Sequence, residues 1–219
     1  MCWNRHVSLN TFVFSLFVLG MIVYNNRYTP YKISSVQTVY QYLFLLSFIS
    51  MQLLEYFAWI YLDHPVVNKI LSVLISLLLF LQPIASLFLL PKVSLRNALL
   101  VGYLVFSVAI LLVELASWRE KNLLIKVSPS GHLQWKGTQD PMLDNVTVLI
   151  WLCFFLFSFF YNREYGTLVF ALGLLLASVV GYYRDGSYKS MWCWIVNSVF
   201  LFFALQLLIV LPFAECTRT

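Results

Sequence analysis

The stretch Met51–Asp63, MQLLEYFAWIYLD, decides how this chain is read. It closes an apolar run that begins before Tyr42 and sets Gln52, Glu55, Tyr56 and Trp59 inside that run. At about 100° per residue these four side chains share one face of a helix. A carboxylate in so apolar a segment is costly unless it has a partner or reaches water, which makes Glu55 a functional candidate. The rest of the chain must then supply a cage of helices around that face.

Composition names the solvent. The 219 residues are 61% hydrophobic and 11% charged, with a mean hydropathy of +0.83. A soluble domain carries about 25% charged and 45–50% apolar residues, so lipid must take up much of this surface. The length suits one transmembrane domain and no separate soluble one. The net charge of +5 is scattered over short loops, with no cluster of bases beside aromatics, and this excludes a nucleic-acid partner. Cys2, Cys153, Cys193 and Cys216 form no disulfide framework, and the two terminal ones are read as free thiols rather than acylation sites.

Working outward, the sequence predicts an all-α membrane protein, a bundle of seven transmembrane helices. The spans cover residues 7–24, 36–62, 66–90, 94–118, 146–161, 166–183 and 190–212. Each is near the ~20 residues that a bilayer core requires, the fifth being the shortest. No small-residue cleavage site follows the first, so it is read as an uncleaved span. Residues 119–145 make the one long loop, where LLIKV, SPSG and HLQWK spell a short β-hairpin. In the sixth span Gly173, Ala177 and Gly181 form a small-residue ridge suited to close helix contact. An oligomer is left open.

Seven spans put the termini on opposite sides. Outside the long loop, the N-terminal side carries Arg5, Lys69, Arg184 and Lys189. The other side carries Arg27, Lys32, Lys92, Arg96, Arg163 and Arg218. The larger basic set places the C-terminus in the cytoplasm, with the N-terminus and the long loop outside. The sequon at Asn145 abuts the fifth span and is read as a chance occurrence.

Chain direction sets depth. Glu55 and Glu114 lie near span exits, and Trp192, Trp194 and Asn197 lie where the seventh span begins, all on the side of the long loop. The expected site is a polar, aromatic-walled pocket in that half of the bundle, lidded by the hairpin. Glu55, with Glu114, would bind a cation, a proton or the cationic group of a small solute. Gln52, Gln82 and Asn197 would orient it, and Tyr56, Trp59, Trp192 and Trp194 would form apolar or cation–π walls. The structural alternative treats the amides as interhelical glue, worth on average ~0.6 kcal/mol each, and pairs Glu55 with Lys69. Trp118 and Trp151 are expected in the interfacial belt.

Several chemistries lack their residues. His6, His64 and His132 lie outside every span and no HExxH occurs, which argues against an intramembrane metal. No GxSxG stands out, and the seventh span has no lysine for retinal. No catalytic residue and no cofactor is assigned. Gln82-Pro83 reverses the Pro-Gln signature of the seven-helix sugar transporters.

QLLEYFAW in the second span and DGSYKSMWCWIVN at the seventh resemble stretches of a poorly characterised group of small polytopic membrane proteins. That group occurs in bacteria and in large DNA viruses of protists. It has a Gln/His-x-x-Glu-x-x-Trp stretch and a later Gly-Ser…Trp-Cys stretch. The corresponding positions here are Gln52, Glu55 and Trp59, the last one residue beyond the Glu-x-x-Trp spacing, then Gly186, Ser187, Trp192 and Cys193, with Tyr188–Met191 lengthening the second stretch. The resemblance implies that spans two and seven pair; it implies no chemistry. Three functional classes follow: a small channel or transporter for an ion, proton or small solute; a lipid- or sterol-binding or lipid-modifying protein; and a structural or assembly protein. The bilayer is the expected partner in each.

Overall fold

The structure, a computed structural model, describes residues 4–117, 125–135 and 141–216, the side chains of 114–117, 141 and 214–216 excepted. Among the described residues, seven helices are long and apolar enough to cross a membrane, by length and composition. They are compatible with a multi-pass membrane protein. In chain order they are α1 (Arg5–Tyr28), α2 (Val39–Ile60), α3 (Pro65–Leu87), α4 (Val93–Ser117), α5 (Pro141–Tyr161) and α6 (Tyr165–Tyr182). The seventh is interrupted: α7 (Tyr188–Val196), α8 (Ser198–Leu205), a π-helical turn (Gln206–Val210) and α9 (Leu211–Cys216).

Local chemistry explains the starts. The Asn4 side chain accepts from the backbone N–H groups of His6 and Val7. Thr38 and Gln41 form a reciprocal capping box on α2, and Pro65 stands in the first turn of α3, where its missing N–H is no loss. The fifth helix begins at Pro141, a turn ahead of the expected start, which removes the shortness of that span.

The helix α2 sits at the centre, packed on α1, α3 and α7, and α3 also packs on α5. Outermost is α6, which buries Ser178. Its ridge is not used within the chain: Gly173, Ala177 and Gly181 are exposed, and a Cβ on either glycine would meet nothing.

Pro83 lies inside α3 and offers no N–H to the carbonyl of Leu79 one turn back. The indole Nε1–H of Trp151 donates to that carbonyl at 2.7 Å, so a neighbouring helix replaces the missing donor. Trp151 is therefore a core residue and not a belt residue, buried and stacked on Phe155 with ring centroids 4.8 Å apart. Its bond to Leu79 holds it inward. Trp118 lies outside the described residues. The same α3–α5 seam is tied by the Ser86 hydroxyl, which reaches the Phe155 carbonyl and the Ser158 hydroxyl, both at 2.6 Å.

The expected hairpin is present as β1 (Lys126–Val127) and β2 (Leu133–Gln134), antiparallel, with Val127 opposite Leu133. It plugs the end of the bundle. Ile125, Leu133 and Trp135 are buried in one cluster with Met51, Ala58, Leu71, Ile75 and Cys193. Buried Asn68 grips the strand lead from both sides: its amide donates to the Ile125 carbonyl at 3.1 Å and its oxygen accepts from the Ile125 N–H at 2.9 Å. Gly186, at φ 68°, lets Gln134 of β2 pack against the α6–α7 turn where a Cβ would stand.

Candidate functional site

Glu55 is fully buried and accepts a hydrogen bond from the Ser190 hydroxyl at 3.0 Å. This contact joins α2 to α7. Gln52 and Gln82 are fully buried as well, and their amide atoms have no partner among the described residues.

Other expected site residues face elsewhere. The Trp194 indole donates to Thr11 at 3.1 Å, and Ser15 donates to the Asn197 side chain at 3.3 Å, so both residues tie α7 to α1. Asn197 also donates to the Cys193 carbonyl at 2.8 Å, at the break between α7 and α8. Tyr56 is half-buried with its ring against Phe57, and Trp59 is half-buried against the cluster that holds the hairpin. The Glu114 side chain lies outside the described residues.

Two cavities penetrate the bundle, and of the eight expected residues whose side chains are described only Trp192 lines them. The larger holds about 750 Å³ and lies between the first half of α2, the ends of α3 and α5, the starts of α4 and α6, and α7–α8. That is the size of a drug-sized ligand site. Phe44, Phe48, Phe155, Phe159, Phe170 and Phe202 dominate its walls. Polar side chains gather where it meets the face opposite the hairpin: Thr38, Gln41, Arg96, Asn162 and Glu164. From Thr38 to Phe48 the cavity follows about 15 Å of helix.

The smaller cavity, about 100 Å³, lies under the hairpin and is lined by Trp135, Ser76, Thr147, Trp151 and Tyr188. It suits a few waters or a small polar group. Lys189 and Asp144 stand in its lining as an ion pair at 2.6 Å. Trp192 belongs to both linings. Its ring is wedged edge-on against Trp151 and Phe155 at centroid distances of 5.5 and 5.7 Å, and its Nε1 has no partner among the described residues.

Charge is concentrated at the two ends. At the larger mouth the Arg96 guanidinium lies 5.5 Å over the Phe88 ring, and its Nε is buried without an acceptor among the described residues. Glu164 is exposed and makes no ion pair with it. At the hairpin, burial pushes the pKa of His132 below its ordinary value, and Asp185 opposes that only in part. Among the described residues no three His, Cys, Asp or Glu side chains gather as a metal set.

The larger cavity was not legible as a site. Its Phe and Leu walls read like lipid-facing side chains, and the one available signal was that Gln41, Arg96, Asn162 and Glu164 all fall at helix ends on one face. Comparison with family models, with curated proteins and with solved structures finds no match. Fold and site thus define a class alone: a bundle of seven apolar helices with a cavity at each end.

Proposed function

We propose that this chain is a small membrane carrier for a single-chain amphipathic molecule, which occupies the larger cavity and passes Trp192 to leave on the hairpin side. The observation that carries this reading is the shared wall: one indole lines both cavities. The large chamber is apolar in depth and polar at its mouth, which matches a ligand with one tail and one head. Glu55 is buried away from both cavities, so the reading keeps transport but moves the ligand off the carboxylate.

The test is a dithionite-bleaching assay in proteoliposomes loaded with a nitrobenzoxadiazole-labelled lysophospholipid. Bleaching should continue into the inner leaflet with protein present, and Trp192→Ala should speed it several-fold by removing the partition. A plateau equal to that of empty vesicles, for wild type and variant alike, would sink the reading.

The Glu55–Ser190 contact favours a second reading, in which Glu55 carries a proton or cation along the same bundle. Proton flux in proteoliposomes that survives Glu55→Gln unchanged would refute it.

A further inference from the structure

The mouth of the larger cavity bears on which head group it takes. Arg96 enters from the first turns of α4, half-buried, with its guanidinium over the face of Phe88. That cation–π contact holds the guanidinium at the mouth. Among the described residues its Nε is buried with no acceptor and it makes no ion pair, and the Lys189–Asp144 pair lies on the other face. A buried guanidinium N–H without an acceptor is expensive, and an oxyanion supplies two acceptors in the geometry of the fork. Glu164 lines the same mouth with the opposite sign, but it makes no ion pair with Arg96, and partial desolvation raises its pKa, which weakens but does not abolish its opposition to an anion. Lys92 and Arg163 flank the mouth in sequence, are exposed, and add positive charge on the same side. The balance favours an anion.

We infer that the larger cavity takes an anionic single-chain amphiphile, with Arg96 binding its phosphate or carboxylate and the phenylalanine walls holding its tail. This rests on the cavity being a ligand site at all, and the experiment separates the two claims. Binding to the purified protein in phosphatidylcholine nanodiscs is measured for two probes that differ only in the phosphate: oleoyl lysophosphatidate and monooleoylglycerol. Oleate and oleyl alcohol form the carboxylate arm.

Wild type should bind each acid about tenfold or more tightly than its neutral counterpart. Arg96→Gln should bring the acids down to the neutral level while leaving neutral binding unchanged, which also shows that the variant folds. Glu164→Gln should raise acid affinity alone, and it decides the matter if Arg96→Gln fails to fold. Equal binding of acid and neutral probes, unmoved by either variant, overturns the head-group inference and leaves the cavity reading standing. No binding of any probe overturns both.

Discussion

A proline inside α3 removes one backbone donor from the bundle, and an indole on α5 restores it. Trp151 is buried and its bond to Leu79 largely shielded, so Trp151→Phe keeps most of the packing and leaves a carbonyl without its indole donor. Such a loss costs about 1–3 kcal/mol. A thermal unfolding midpoint in detergent should fall accordingly; one equal to wild type would mean that another group, or water, reaches that carbonyl. Trp192 is the opposite case. It lies in a cluster of rings but leaves its own N–H without a partner among the described residues. Glu55, meanwhile, is fully buried and accepts from a hydroxyl donor, so its prominence in the sequence as an acid in an apolar run is matched by a defined place between α2 and α7.

At the scale of elements, the hairpin and the broken seventh helix set the two ends of the bundle. Asn68 holds the N–H and the carbonyl of Ile125 as a neighbouring strand would, and Asn68→Ala abandons both in a buried place. Hydrogen exchange over 125–135 should quicken by an order of magnitude or more, consistent with losing about 1–3 kcal/mol per stranded group. Exchange at the wild-type rate would show that the cluster around Leu133 holds the plug alone. The same segment should respond to pH. The pKa of His132 is lowered in the docked state, so the undocked hairpin binds the proton more readily. Docking is then fully stable above the ordinary histidine value of about 6.5 and weakens as pH falls below it. Exchange that is flat through that window, after correction for intrinsic rates, would remove His132 as the cause. The hairpin was legible in sequence through the Ser-Pro-Ser-Gly turn; Glu55 was legible as a buried acid, but its partner Ser190 was not, Lys69 having been the expected one. The insertion of the hairpin as a plug was not, because Leu and Trp in a loop carry no direction until a cavity is there to receive them.

For the whole molecule, seven apolar helices enclose more space than their side chains fill, and most of that space lies on the face opposite the hairpin. Ala171 lines the larger cavity from the outer helix α6. Ala171→Trp should therefore obstruct it with little disturbance to the buried clusters, sharply reducing retention of lysophospholipid through purification while the unfolding midpoint holds. Retained lipid, read by native mass spectrometry, would place the ligand elsewhere. By itself the sequence determined the number of helices, their ends to within about a turn, and the lone hairpin. Those features follow from local quantities: run length, hydropathy, caps and turn residues. It determined also which polar groups would be buried, since Gln52, Glu55 and Gln82 stand deep in apolar runs. Only the tertiary structure decided what those groups meet. Periodicity assigns a side chain to a helix face but not to a neighbour, so Trp194 and Asn197 turned to α1 while Trp192, two residues away from one of them, came to stand between two cavities. A cavity is made by backbones held apart, and no single residue records that separation.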